Sequence, residues 1–285
     1  NFASDGVPAG LVLYYSFDSN EGSTVPDDSG NGNAGVATGV TWTASGHVGG
    51  AYVFDGVNDM IEIGANKLDI LTNATVSFWV NSAIPVANDL MIFEHYVNAN
   101  NRIDLRIDNG AGLNVIKGGV LTPSSIHTLS FVFSNWVHVA AVLGNGGIAF
   151  YHNGQLVTNN VAYTNTFAHL GASVHNAIGR TYYPGGGCYF KGSLDEFMVF
   201  GRALSSNEVA DIYYSENNSW AVLEVAGSPV TAGTPVPYGY GLHEVAKGTV
   251  VTSTVPATVG ATGSRYVCAG WTGTGDVSSG SGTSA

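Results

Sequence analysis

Charged residues and cysteines are scarce in this sequence, and a long apolar run is absent. Of its 285 residues only 11% are charged, two are cysteines, and nine are Lys or Arg against 21 Asp or Glu. So few basic residues leave no cationic stripe to neutralise phosphates, and we expect no nucleic-acid partner. No stretch of about 18 apolar residues occurs, so we expect no membrane insertion. Cys188 and Cys268 fit neither a zinc spacing nor a redox motif, which leaves unpaired thiols and a disulfide both open.

Glycine is abundant instead, at 39 residues. This suits short strands joined by tight turns, because glycine supplies the positive φ that many turns require. In residues 75–80 (TVSFWV) the apolar Val76, Phe78 and Val80 recur at every second position, as expected of a strand with one face on a core. Asn153-Gly154 predicts a hairpin between residues 148–152 and 155–157. About a dozen such short strands predict an all-β fold, a two-sheet antiparallel jelly-roll sandwich.

One segment has helical spacing. Ser205 or Ser206 supplies an N-cap, and Val209, Ile212 and Tyr213 repeat at i, i+3 and i+4, which predicts one short helix that ends near residue 215.

A change of composition near residue 220 divides the sequence. We predict a jelly roll over residues 1–217 and a separate small β module over residues 218–285, rich in Thr, Gly and Val, whose completeness the sequence leaves open. Strands are also expected at residues 128–133 and 249–255, because both runs are rich in β-branched or aromatic residues. The start without Met or a signal peptide leads us to expect a piece of a longer secreted protein with further domains.

Five stretches, in this order, resemble the laminin-G-like jelly rolls of the concanavalin A-like lectin/glucanase superfamily. They are residues 10–18 (GLVLYYSFD), 28–35 (DSGNGNAG), 49–63 (GGAYVFDGVNDMIEI), 136–157 (with WVHVAAV and FYHNGQLV) and 190–213 (FKGSLDEFMVFGRALSSNEVADIY). The resemblance spans residues 9–215 and implies the fold more than an activity, since one fold hosts many functions. Residues 266–275 (YVCAGWTGTG) are similar to small repeats of bacterial surface proteins. Both resemblances imply an extracellular or cell-surface location.

The resemblance also implies a structural calcium ion, held between the end of the first strand, the loop after it and the last strand. Calcium prefers carboxylate, amide and carbonyl oxygens. The expected ligands in this chain are Asp18, Asp28, Asn31, Asn33 and Asp195. The alternative is an ordinary turn at residues 28–33, with Asp195 hydrogen-bonded to backbone. A second acidic group, Asp55, Asn58 and Asp59, is better explained as a turn with side chain–backbone hydrogen bonds.

Catalytic residues are not assigned. The sequence lacks the E-x-D-x-x-E run of the superfamily's glucanases and also a G-x-S-x-G nucleophile elbow. Two groups offer the base and cation that a polysaccharide lyase needs. They are His95 and Tyr96 with Arg102 and Arg106, and His152 with Tyr182, Tyr183 and Lys191. Neither matches a lyase motif, so an enzyme, whether lyase or glycoside hydrolase, is the alternative function.

Carbohydrate binding is the function that the aromatic residues favour. Tyrosine rings stack on sugar faces, and loops on a rigid sandwich commonly carry binding sites. The segment 180–187 (RTYYPGGG) is aromatic, glycine-rich and flanked by strands, and we predict ligand binding by Tyr182, Tyr183, Tyr189 and Tyr96. The alternative is that these rings only cover the edge of the sandwich. We therefore expect a non-catalytic carbohydrate-binding or adhesion module of a larger secreted bacterial protein, with a purely structural surface module as a further alternative.

Overall fold

A computed structural model of the chain describes residues 9–82, 90–107, 111–121, 135–185, 187–217, 220–225, 241–246, 258–261 and 264–267. The strands expected at 128–133 and 249–255, and Cys268, lie outside these residues. Backbone contacts divide the chain into two compact units, Asn1–Glu216 and Asn217–Ala285.

Two eight-stranded antiparallel sheets make up the first unit, as predicted. The first sheet contains, in spatial order, β14 (Gln155–Asn160), β13 (Gly147–His152), β12 (Val137–Gly144), β7 (Ala74–Asn81), β16 (Lys191–Phe200), β5 (Ala51–Asp55) and β4 (Thr41–Thr43), and β1 (Leu11–Tyr15) also pairs with β16. The second sheet contains β11 (Val120–Leu121), β10 (Ala111–Lys117), β9 (Asn101–Ile107), β8 (Leu90–Asn98), β15 (His175–Ile178), β6 (Met60–Glu62), β3 (Gly35–Thr38) and β2 (Thr24–Val25). A short 3₁₀ turn, Phe167–His169, precedes β15.

The main core lies between the sheets and is built by alternation along their strands. Phe78 and Phe197 from the first sheet stack with ring centroids 6.0 Å apart, and Phe93 from the second lies 5.8 Å from Phe197. All three are essentially inaccessible to solvent. The hairpin at Asn153-Gly154 is confirmed, and both residues have positive φ, as a two-residue turn between twisted strands requires.

Helix α1 (Ser206–Asn217) packs on the outer face of the first sheet, where Val209 and Ile212 are buried with Tyr14 and Met198. Ser205 caps the helix: its hydroxyl accepts from the backbone N–H of Glu208 at 3.3 Å, and its own N–H donates to the Glu208 carboxylate at 2.8 Å. This reciprocal capping satisfies two backbone groups at the start of the helix. The predicted helix is therefore confirmed, two residues longer than expected.

One edge of β16 is shared by two strands, which leave between them a gap that we call the β16 gap. β1 pairs with the C-terminal half of β16, with Tyr15 opposite Phe197, and β5 pairs with the N-terminal half, with Tyr52 opposite Leu194. Between them β16 has a bulge, where Glu196 adopts a positive φ of 52°. The chain leaving β1 and the chain entering β5 therefore both pass the bulge.

The second unit contains two described hairpins. β17 (Trp220–Val225) pairs with β18 (Gly241–Ala246), and β19 (Thr258–Ala261) pairs with β20 (Ser264–Val267). Within the described parts of the chain, no helix has the length and apolar character needed to cross a membrane.

Candidate functional site

The second sheet has one core face and one polar face. Glu62 and Glu94 lie opposite Ala177 from either side, and Asp104 lies opposite Glu94, so the three carboxylates form one row across four strands. Directly opposed residues of an antiparallel sheet point to the same face. Phe93, which directly precedes Glu94 in β8, points to the opposite face and lies in the core. A row of acidic residues thus faces away from the core.

The segment that follows β15 lies over this row. The Thr181 hydroxyl donates to Glu94 at 2.9 Å, and the Tyr182 backbone N–H donates to the other oxygen of the same carboxylate. The Tyr182 hydroxyl donates to Glu62 at 2.9 Å. Tyr182 therefore spans two carboxylates of the row and buries Glu94 completely.

The residues above this row form a surface that we call the tyrosine face. Its members are Glu62, Tyr96, Arg102, Arg106, His175, Arg180, Tyr182, Tyr183 and Tyr189.

The tyrosine face contains all four tyrosines that the sequence singled out. The rings of Tyr96 and Tyr182 lie 6.2 Å apart. The Arg180 guanidinium carbon lies 4.2 Å from the ring centre of Tyr182 and 5.6 Å from that of Tyr189. Tyr183, which is 43% exposed, stacks under Arg102 at 4.3 Å. Three of these tyrosines come from one short stretch, residues 182–189, and the fold brings Tyr96 from β8 to the same surface.

Charges on the tyrosine face are partly compensated. Asp104 is buried and accepts from Arg102 Nε at 3.1 Å and from Arg106 Nη2 at 2.7 Å. Burial, with the nearby charge of Asp104, raises the pKa of Glu94 to about 7, although its two hydrogen-bond donors act in the opposite direction. Burial and the Glu62 carboxylate raise the pKa of Tyr182 to about 12, so this hydroxyl stays neutral and donates.

Sequence reasoning missed Glu62, Glu94, Asp104 and His175. The imidazole of His175 lies parallel to the Tyr182 ring at 3.6 Å and 3.5 Å from the Glu62 carboxylate. Alternation alone would have put Glu94 and Tyr96 on one face of β8. It could not have placed Glu62 beside them, because that depends on β15 pairing between β8 and β6.

The fold separates both groups considered for lyase chemistry. His95 points to the core side of β8, bonds Asn176 at 2.7 Å and is fully buried, whereas Tyr96 lies on the opposite face. His152 and Lys191 belong to strands of the first sheet, whereas Tyr182 and Tyr183 lie over the second. In the first group Tyr96 shares its face with Arg102 and Arg106 but not with His95, and the second group is divided between the two sheets.

Asp18 and Asp195, by contrast, are brought to one loop, residues 46–50, at the gap beside the β16 bulge. Asp195 is buried and accepts from the backbone N–H groups of His47 at 2.7 Å and Val48 at 2.9 Å. Asp18 accepts from Gly50 N at 3.0 Å. Burial first, and then the charge of Asp18, raises the pKa of Asp195 to about 7, against three backbone donors that lower it.

Glycines in this loop leave room for oxygen atoms. A Cβ on Gly46 would lie 2.7 Å from an Asp195 carboxylate oxygen and 2.1 Å from the Gly50 carbonyl oxygen. A Cβ on Gly49 would lie 1.9 Å from Asp18 Oδ1, and one on Gly50 would lie 2.5 Å from the Phe17 carbonyl oxygen. The Asp18 and Asp195 carboxylates and the Phe17 and Gly50 carbonyls therefore lie close to these three glycines, in space that a side chain would otherwise fill.

The other three predicted calcium ligands bind along β1. Asp28 accepts from the Ser16 hydroxyl at 2.6 Å. The side-chain amides of Asn31 and Asn33 donate to the Val12 carbonyl at 3.3 and 2.9 Å. These hydrogen bonds attach the loop after β1 to that strand and to Ser16 at its end rather than to Asp195.

No cluster of three or more His, Cys, Asp or Glu side chains suited to a metal occurs among the described residues. At the second acidic group, the Asp59 carboxylate accepts from Asp55 N at 2.8 Å and that of Asp55 from Val57 N at 2.7 Å. These are the side chain–backbone hydrogen bonds expected of a turn.

Two antiparallel sheets enclosing one core, with a polar aromatic face on one of them, define a lectin-like sandwich. The family model described as "Concanavalin A-like lectin/glucanases superfamily", of the laminin G type, matches residues 55–210. The chain belongs to this superfamily, which confirms the resemblance to the concanavalin A-like jelly rolls. The similarity of residues 266–275 to repeats of bacterial surface proteins stays a prediction. A search of curated proteins finds no match.

Several solved structures share the fold. Domain 4 of AbnA, an extracellular GH43 arabinanase from Geobacillus stearothermophilus in complex with arabinotriose, is 23% identical with a TM-score of 0.60, over 72% of this chain and 98% of that domain. Trypanosoma rangeli sialidase in complex with sialic acid is 16% identical with a TM-score of 0.58; the match covers 74% of this chain but only 34% of the sialidase. The binding domain of botulinum neurotoxin serotype D/C is 11% identical with a TM-score of 0.57, over 91% and 70% of the two chains.

Proposed function

We propose that the tyrosine face binds a carbohydrate and that the protein is a non-catalytic binding module. The observation that carries this proposal is the convergence of four tyrosines with hydrogen-bonding carboxylates and arginines on one rigid sheet. Aromatic rings supply stacking surfaces for sugar rings, and the fixed polar groups supply partners for hydroxyls. The arabinanase domain with its bound arabinotriose and the sialidase with sialic acid show that proteins of this fold are associated with sugars. A bacterial, secreted or cell-surface setting fits the extracellular arabinanase and belongs to the same proposal.

Glycan binding by two single variants tests the proposal. Tyr183→Ala removes an exposed ring that stacks with Arg102 and keeps the backbone hydrogen bond from Tyr183 N to the Thr181 hydroxyl, so the fold should survive. We expect Tyr183→Ala and Tyr182→Ala each to weaken binding on a glycan array by about tenfold or more, since one stacked ring contributes roughly 1–3 kcal/mol in related stacking sites. Tyr214→Ala, which removes an exposed tyrosine on α1, is the matched control and should bind like wild type.

Two outcomes would contradict this function. No binding across plant, algal and host glycans would favour a purely structural surface module. A rise in ultraviolet absorbance from unsaturated uronates during incubation with polysaccharide would favour the lyase alternative.

We also propose a structural calcium ion at the β16 gap, held by Asp18 and Asp195 with carbonyl oxygens of the neighbouring loop. The residues fit such an ion, because calcium prefers oxygens and a buried carboxylate gains from a cation. Asp28, Asn31 and Asn33 stay predicted ligands.

Melting temperature in calcium and in EDTA tests this site, since an ion bound only to the native state raises stability. We expect calcium to raise the melting temperature of wild type and not that of Asp18→Asn. A smaller rise of melting temperature in calcium for Asn33→Ala would show that the loop after β1 contributes a ligand to the ion. Equal melting temperatures of wild type in calcium and in EDTA would contradict the proposed calcium site.

A further inference from the structure

We propose that the ligand of the tyrosine face is an acidic glycan, one with uronic acid residues, and that Arg180 binds its carboxylate. The inference rests on the proposed carbohydrate function and adds to it the chemical class of the ligand.

Cationic side chains are concentrated on the tyrosine face. The sequence contains five arginines in a chain of net charge −12, and three of them, Arg102, Arg106 and Arg180, lie here. A face that bound only neutral sugars would not need this concentration. Three carboxyl groups, those of Glu62, Asp104 and Glu94, oppose this positive charge. The Glu94 carboxyl is buried beneath Thr181 and Tyr182 and is not available to a ligand.

Arg180 differs from the other arginines whose side chains the structure describes. Arg102 and Arg106 share Asp104, and Arg202 binds Glu208 at 2.5 Å. Arg180 has no carboxylate partner in the described part of the chain. Its Nη1 meets only the Met60 sulfur, at 3.6 Å, and its Nε is buried without a hydrogen bond. With Nε buried, the Nη groups are the donors that this guanidinium can offer to an anion.

The tyrosines orient this guanidinium. Arg180 lies over the Tyr182 ring and near the Tyr189 ring, and Tyr182 is itself held by Glu62 and His175. Stacking occupies the flat faces of the guanidinium and leaves its edge for in-plane hydrogen bonds, the geometry that matches a carboxylate with two parallel bonds. Because the rings also provide a stacking surface, a sugar that carries a carboxylate satisfies both features together.

A dense polyanion fits this face less well. The molecule as a whole is strongly acidic, and a nucleic acid or polyphosphate would meet long-range repulsion from the rest of the surface. One carboxylate per sugar, spaced along a glycan, needs only one uncompensated arginine at a time. The acidic surface and the single uncompensated arginine therefore favour a uronate over a phosphate ligand.

The test uses matched pairs of glycans and calorimetric titration of the full chain. Oligogalacturonate, oligomannuronate, oligoguluronate and hyaluronan fragments are each compared with their carboxyl-reduced forms, which keep the sugar rings and lose the charge. We expect at least one acidic glycan to bind, and its reduced form to bind about tenfold more weakly or worse.

Three variants connect that difference to Arg180. Arg180→Met keeps an apolar stem against the tyrosines. We expect it to bind the acidic glycan about tenfold more weakly and the reduced glycan as wild type does. The affinity of Arg180→Lys for the acidic glycan should lie between those of wild type and Arg180→Met. Lys67→Met removes one positive charge from an exposed loop outside the tyrosine face and should change affinity less than about twofold. Equal melting temperatures of the variants show that the fold is intact.

The outcomes separate the two proposals. If the reduced glycans bind as well as the acidic ones, and binding depends on Tyr183 but not on Arg180, the carbohydrate function stands and the inference is wrong. If no acidic glycan binds but the glycan array shows binding of neutral glycans that depends on Tyr183, only the inference is wrong; if the array shows no binding either, both are wrong.

Discussion

Buried carboxylates are the most constrained single residues of the first unit. Glu196 is 2% exposed and accepts a hydrogen bond from the Tyr14 hydroxyl at 2.5 Å. Burial, with the charges of Glu216 and Asp195 nearby, raises its pKa well above the ordinary value. Glu196 also has the positive φ of the β16 bulge. Such strain persists only where the surroundings enforce it, and here the bulge separates the two strands that share the edge of β16.

The pH dependence of stability should report the ionisation of Asp195. Without metal, the Asp195 carboxyl of the folded protein stays protonated up to about pH 7, because its pKa is raised from the ordinary value of 3.8 to about 7. The stability from the protonated form is therefore fully present below the unfolded pKa and is lost as the pH rises through 7. Relative to wild type in EDTA, we expect Asp195→Asn to gain roughly 1–3 kcal/mol in free energy of unfolding between about pH 5 and about pH 8.

Urea unfolding at the two pH values measures this gain. Calcium at the higher pH should restore wild type and leave the variant unchanged, because the ion favours the ionised carboxylate. Asp211→Asn, at an exposed position on α1, removes the same charge and should show neither effect. A wild type that gains stability relative to Asp195→Asn as the pH rises in EDTA would contradict this account.

At the scale of elements, the glycine loop 46–50 decides whether Asp18 and Asp195 can share one site. Gly49 has a φ of +61°, and an added Cβ would overlap Asp18 Oδ1. We expect Gly49→Ala to lower stability by at least about 1 kcal/mol more than Gly22→Ala, because the latter changes a glycine of φ +71° with nothing within 4 Å. Thermal unfolding measures the difference, and the response to calcium should disappear only in Gly49→Ala. Equal losses of stability in Gly49→Ala and Gly22→Ala would show that the cost comes from backbone strain alone and not from overlap with Asp18.

The segment 180–183 is the element that carries the tyrosine face, and Glu94 anchors it. Thr181→Val removes the hydroxyl that donates to Glu94 and accepts from Tyr183 N at 3.0 Å. We expect a loss of about 1–3 kcal/mol in stability and weaker glycan binding, because a buried carboxyl loses a partner and Tyr182 and Tyr183 lose their anchor.

Thr75→Val is the control for that change. The Thr75 hydroxyl is equally buried, donates to the Arg202 carbonyl at 3.0 Å and accepts from Leu204 N at 3.0 Å, but it belongs to the first sheet. Its loss should lower stability similarly and leave binding unchanged. Glycan affinity that falls equally in both variants would contradict a specific role of the 180–183 segment.

At the scale of the whole molecule, the first unit has a main core between its two sheets and a second, smaller core where α1 packs on the outer face of the first sheet. The boundary between residues 217 and 218 stays a prediction. We expect a chain of residues 1–217 to unfold in one cooperative transition and to keep both its calcium response and its glycan affinity, because the described residues of both sites lie within it. Calorimetry and titration measure this, and a truncated chain without a cooperative transition would show that residues 218–285 are needed for folding.

Much of this protein is determined by its sequence alone. Alternation in strands such as β7, the Asn153-Gly154 turn and the Ser205–Glu208 cap are local signals that depend on neighbours a few residues away, and so the sandwich and its single α-helix among the described residues were predictable. The choice of Tyr182 and Tyr183 also came from a local feature, their aromatic, glycine-rich segment. Tertiary structure alone decided what surrounds them. Glu62 and Glu94 lie in strands that are not neighbours in sequence, β6 and β8, and both meet Tyr182 only because β15 pairs with β6 on one side and β8 on the other. In the same way, Asp18 meets Asp195 because β1 and β5 share one edge of β16, a pairing that no local pattern encodes.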